Sequence, residues 1–115
     1  MSDKSRIHAM LNSLGIKNTA YWWAEQNGSS KVPSLPYAVY YETGETVQFA
    51  DGKRWVAFTE YAVELWESEP NQKLRDAFGA AINTEFGAYS QYVRRVPSEQ
   101  ATVITYEFTV IPERG

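Results

Sequence analysis

The chain has no cysteine and a single histidine, His8, in 115 residues. The first absence excludes disulfides and thiolate metal sites and leaves the redox compartment unmarked. The second leaves His8 without the partners that metal binding or acid–base chemistry needs in fixed geometry, so it reads as a surface helix residue. Positive charge is also short. Eleven Lys and Arg face fourteen Asp and Glu, a net charge of −3, which argues against a protein that grips nucleic acid by neutralising phosphates. No hydrophobic run approaches the ~18 apolar residues of a membrane span, and the opening MSDKSRIHAM is polar instead of signal-like. A cytosolic bacterial or viral product is expected. Gly-rich phosphate loops, nucleophile elbows and metal-ligand spacings are missing as well, so neither a catalytic residue nor a cofactor is expected.

What is present is ordinary globular material: 43% apolar and 22% charged residues. A chain of this length buries roughly two-thirds of its unfolded surface in one core, so residues 1–115 are expected to form one domain. Ile7, Met10, Leu11 and Leu14 fall at helical spacing, with Ser2 or Asp3 as N-cap and Gly15 placed to stop the helix. Residues 25–36, EQNGSSKVPSLP, read as a loop.

Aromatic and β-branched residues predict a strand over 37–41, a turn at Thr43-Gly44, and a further strand over 46–49. Asp51-Gly52 is the sharper turn signal, because a tight hairpin needs the positive φ angles that Gly, and more tolerantly Asp, can adopt. The next strand should start near Lys53 or Arg54. Over 59–66 the alternation puts Tyr61, Val63 and Leu65 on a core face and Glu60 and Glu64 on a wet one. Ser68 is a helix N-cap candidate and Pro70 suits the first turn. Leu74, Ala77, Phe78, Ala81, Ile82 and Phe86 form an apolar stripe, and Gly87 stops it. Gly79, inside this helix, either lets another backbone approach or is simply tolerated at a cost up to ~1 kcal/mol. Residues 88–96 predict a weak strand, 97–100 a turn, and 102–110 a strong strand ended by Pro112. The expected fold is α+β: a single antiparallel or mixed sheet, two helices packed on one face, and a protruding β-hairpin.

Glu60 and Glu64 lie ~13 Å apart along a strand, too far for the paired carboxylates of glycoside hydrolysis, which stand about 5 to 9.5 Å apart. The aromatics permit two readings. Tyr21, Trp22 and Trp23, with Tyr37, Tyr40, Tyr41, Phe49 and Trp55, could stack bases in a single-strand binder, with Arg94-Arg95 on phosphates. The acidic balance favours the second, packing in a core with any exposed remainder serving a protein interface.

The segments LPYAVYY (35–41), FADGKRW (49–55), YAVELWESEPNQKLRDAF (61–78) and YEFTV (106–110), preceded by TAYWW (19–23), resemble small tail proteins of long-tailed bacteriophages. Within that group the chain looks most like the tail terminator, or tail completion, family. Trp22, Trp23 and Arg94-Arg95 fall outside the family pattern. The resemblance implies a structural virion protein, made in the bacterial host cytoplasm and carried in the tail. It also implies a homo-oligomeric ring, expected as a hexamer, that caps the tail tube and offers a joining surface to the head–tail connector. Its partners would be itself, the major tail tube protein and the connector, with DNA only as passing cargo and no membrane.

A channel that conducts DNA should not hold it, so some of Glu42, Glu45, Glu60 and Glu64 are expected to face the lumen. The hairpin is the first candidate contact element through Phe49, Asp51, Lys53, Arg54 and Trp55, with Trp22 and Trp23 as further interface candidates. The alternatives are a head–tail connector or stopper and, behind it, a single-stranded nucleic-acid-binding module; an enzyme has least support.

Overall fold

The computed structural model describes the backbone of residues 3–20, 34–50 and 54–110, with side chains for all of these except 47–50 and 54–57. Ile7, Met10 and Leu11, spaced three and four apart, bury one face of helix α1 (Asp3–Ser13), whose first turn carries Asp3 where the helix dipole favours negative charge. The helix stops at Gly15, φ 73°. The Gly15 N–H reaches the Asn12 carbonyl at 3.0 Å and the Ile16 N–H the Leu11 carbonyl at 3.3 Å, satisfying two end carbonyls while Ile16 turns into the core. The candidate cap Ser2 lies outside the described residues.

Strands β1 (Lys17–Ala20), β2 (Tyr37–Ala50), β3 (Arg54–Glu67), β4 (Tyr89–Val96) and β5 (Ala101–Val110) form a mixed sheet in the order β1-β2-β3-β5-β4. β1 runs parallel to β2, and the other pairings are antiparallel. The predicted turn at Thr43-Gly44 is instead a bulge within one 14-residue strand, where the register slips between Glu42 and Gly44. A bulge absorbs the extra residue without ending the ladder. The Asp51-Gly52 turn lies outside the described residues. The described β2–β3 ladder runs as far as the Ala50–Arg54 pair.

Helix α2 (Gln72–Phe86) starts later than Ser68 predicts. Its N-cap is Asn71, whose Oδ1 accepts the Leu74 N–H at 3.1 Å, so Pro70 precedes the cap and does not occupy the first turn. Gly87, φ 98°, closes the helix as predicted, donating its N–H to the carbonyls of Asn83 and Ile82. Gly79 does permit a close approach, by a side chain: the Tyr89 hydroxyl would collide with a Cβ there.

Both helices cover one face of the sheet. Ile7, Leu11, Phe78 and Ile82 meet Tyr40, Val63, Leu65, Ile104 and Tyr106 there, and Phe86 stacks on Phe108 with ring centres 4.7 Å apart. The opposite face is not wet as expected. Tyr37, Val39, Trp66, Ala101 and Val103 form a second buried cluster, and Glu64 is only 9% exposed. β3 is hydrogen-bonded on both sides, by β2 and β5, whose Tyr37, Val39, Ala101 and Val103 pack around Trp66 while Arg94 reaches over from β4 to Glu64. At the edge of α2, Glu67 is buried in an ion pair with Arg75, whose backbone carbonyl accepts the Tyr106 hydroxyl. Among the described residues no helix is long and apolar enough to cross a membrane. The strong strand ends at Val110, and Pro112 lies outside the described residues.

Candidate interaction surfaces

The longest strands outrun their neighbours. β1 pairs with β2 only as far as Tyr40, and β5 pairs with β3 only as far as Thr59. The β2–β3 ladder continues to Ala50 and Arg54, so residues 45–50 and 54–58 form a two-stranded projection among the described elements. Phe49 stands opposite Trp55 in its register, and Arg54 opens β3. The side chains of Phe49, Arg54 and Trp55 lie outside the described residues, as do Asp51, Lys53, Trp22 and Trp23 altogether.

The four candidate lumen carboxylates divide between two faces. Glu42 and Glu45 pair with Tyr61 and Thr59 on the helix-covered side, and both are exposed. Glu60 and Glu64 share the other face. Glu60 is half-buried and accepts the Thr46 hydroxyl at 3.3 Å. Glu64 is withdrawn from solvent: the Tyr41 hydroxyl donates to one carboxylate oxygen at 2.7 Å and the Trp66 indole N–H to the other at 3.0 Å. Arg94 approaches Glu64 to 3.6 Å, and its guanidinium lies 5.9 Å from the centre of the Trp66 ring, which stacks on Tyr37. Burial, then the bond to Glu64, pushes the Tyr41 hydroxyl well above the ordinary phenol range, so it stays a donor. Glu64 is thus a clamp across β2, β3 and β4, and its charge is met by hydrogen bonds and one cation.

This placement bears on the aromatic and basic residues. Tyr37, Tyr40, Tyr61 and Trp66 are buried, whereas Tyr92 on β4 is 49% exposed beside Val93 at 52%. Arg94 and Arg95 point to opposite faces of β4; Arg95 donates to the Thr102 hydroxyl at 3.1 Å. An open groove of about 610 Å³ runs between the root of the projection and the end of β5, with Phe58 and Phe108 in its wall and Glu60 and Glu107 at its rim.

His8 is held in a closed hydrogen-bond ring. Its Nδ1 lies 2.6 Å from Asn18 Oδ1, Asn18 Nδ2 donates to Asn12 Oδ1 at 3.0 Å, and Asn12 Nδ2 stands 3.1 Å from His8 Nε2. The ring closes when the imidazole proton sits on Nδ1, and it ties α1 to β1. Among the described residues no group of three or more His, Asp or Glu is placed to hold a metal ion.

The Glu64 clamp was missed because strict alternation assigns Glu64 to solvent; the tryptophan two residues on was the available signal, since a buried indole needs an acceptor. Neither a protein-family model nor a curated protein sequence matches this chain.

Proposed function

We propose that the chain is a structural subunit of a phage tail, without enzymatic activity, that assembles as a ring capping the tail tube and presents the joining surface to the head connector. The observation that carries this reading is the projecting β2–β3 ladder. A two-stranded ribbon is marginal alone in water, and among the described residues neither edge of this one has a strand partner, so its stability and its use both call for a partner surface. The tail-protein resemblance of the strand and helix segments supplies the kind of partner. One face of the sheet can line a channel, so either exposed Glu42 and Glu45 or half-buried Glu60 is available to keep it unattractive to DNA. Glu64 is not, being neutralised inside the sheet.

The test is negative-stain imaging with mass measurement of the protein, alone and with tail tubes of the same phage. Six-fold rings at a tube end support the reading. Monomers that leave tube ends bare refute it. Binding at the connector and not at the tube would move the assignment to a stopper. Salt-dependent affinity for single strands, without ring formation, would favour the nucleic-acid reading. Replacing Lys53 and Arg54 by Glu should block tail joining, and intact joining would remove the hairpin tip from the contact.

A further inference from the structure

Among the described residues, two of the sheet's unpaired edge segments differ in charge. One is β4, YSQYVRRV, which pairs with β5 on one side only and carries Arg94 and Arg95 without an acidic residue. The other is the part of β2 beyond β1, residues 41–50, YETGETVQFA, which carries Glu42 and Glu45 without a basic residue. Residues 42, 43, 45 and 46 are exposed, and every residue from 90 to 95 is exposed. The edges are of similar length, eight residues against ten.

We infer that these edges pair with each other between copies of the chain, β4 of one subunit lying antiparallel to the outer β2 edge of the next. The inference rests on the ring reading above and supplies its subunit contact. Strand direction supports it first. Across β2-β3-β5-β4 every neighbour is antiparallel, so a second copy in the same orientation brings its β2 antiparallel to the first copy's β4, and the alternation runs on unbroken. The contact is head-to-tail, the kind that generates rings or open filaments instead of closed pairs.

Stagger is the second support. Following the registers across the sheet sets Tyr89 level with Glu42, so β4 lies beside the base of β2 and not beside its free half. Discounting the bulge residue, the two edge centres are offset by about 20 Å along the strands, over a sheet width of four strand spacings, about 19 Å. A ring closes on that offset when strands tilt by roughly 45° from its axis, a tilt that closed β-barrels also take.

Side-chain parity then narrows the register. Residues directly opposite must share a face, so odd positions of β4 meet Glu45 and its alternates. Val93 then stands opposite Glu45, Tyr92 opposite Thr46, and Arg95 falls between Glu42 and Glu45. Unpaired edges that could stick to anything are thereby matched by charge to one partner.

The absence of cysteine makes the test direct. Y92C and T46C proteins are prepared separately, mixed under conditions where rings form, and oxidised. A disulfide joining the two variants is expected, and R95E or E45K alone should weaken assembly about fivefold while the pair R95E/E45K recovers it. Disulfide dimers of Y92C by itself would overturn the inference in favour of two-fold β4 pairing. Rings without the mixed disulfide would overturn it while leaving the ring reading standing. Absence of rings for the unmodified protein, with or without tail tubes, would remove both.

Discussion

Gly79→Ala offers a sharp test of how the edge strand β4 is anchored. In an open helix interior this substitution stabilises by up to about 1 kcal/mol, because glycine gives up more backbone freedom on folding. At this site the new methyl group would collide with the Tyr89 hydroxyl and stand 3.1 Å from the phenol Cζ. Tyr89 is half-buried and packs on Tyr106, ring centres 5.8 Å apart, so it cannot move without losing core contact. Overpacking of this kind costs about 1–3 kcal/mol, which offsets the propensity gain and leaves a net loss of up to about 2 kcal/mol. Tyr89→Phe removes the atom in collision. In the double variant the loss should largely vanish, giving a coupling of about 1 kcal/mol or more. Urea denaturation followed by tryptophan fluorescence measures all four corners of the cycle. Stabilisation by Gly79→Ala alone would refute the reasoning and detach β4 from α2.

Asn71→Ala should cost about 1 kcal/mol through the lost N-cap of α2, whereas Ser68→Ala should leave the same urea midpoint unchanged. Arg75→Ala should destabilise by about 3 kcal/mol or more, since the Glu67 carboxylate is 2% exposed and would lose its buried partner; a loss within measurement error would mean that water reaches Glu67. Burial, then Glu99 and Glu64, pushes Tyr37 up to about 12, and burial with Asp3 and Glu42 does the same for Tyr61. Stability from these raised phenols is full below about pH 10, where the unfolded chain begins to ionise, and falls as pH climbs from there toward about 12. Ultraviolet titration of phenolate should show these groups ionising late and together with unfolding, and ordinary titration of all eight tyrosines in the folded protein would contradict this.

The local elements were legible because their causes are local. Ile7, Met10 and Leu11 with Gly15 define α1 through spacing and one backbone conformation, and Gly87 ends α2 in the same way. β5 reads from its own alternation, and the expected α+β fold with its projecting hairpin follows from such segments in order. β1 was not legible: KNTA has no apolar alternation, and it is a strand because residues 37–40 of β2 offer an open edge. The Ser68 cap and the Thr43-Gly44 turn were sound local chemistry overruled by position, one by an asparagine three residues on and the other by β3 running past unbroken.

The sequence by itself determined the acidic balance and the elements that carry their own periodicity and stops, α1, α2 and β5, since those depend on neighbours a few residues apart. Only the tertiary structure decided which faces are covered. It buried Glu64 by bringing Tyr41, Trp66 and Arg94 to one carboxylate, laid Tyr89 over Gly79, and set a basic edge and an acidic edge on opposite sides of one sheet. Each of these joins residues on different strands or helices, and their meeting depends on strand order and register, which no local pattern encodes.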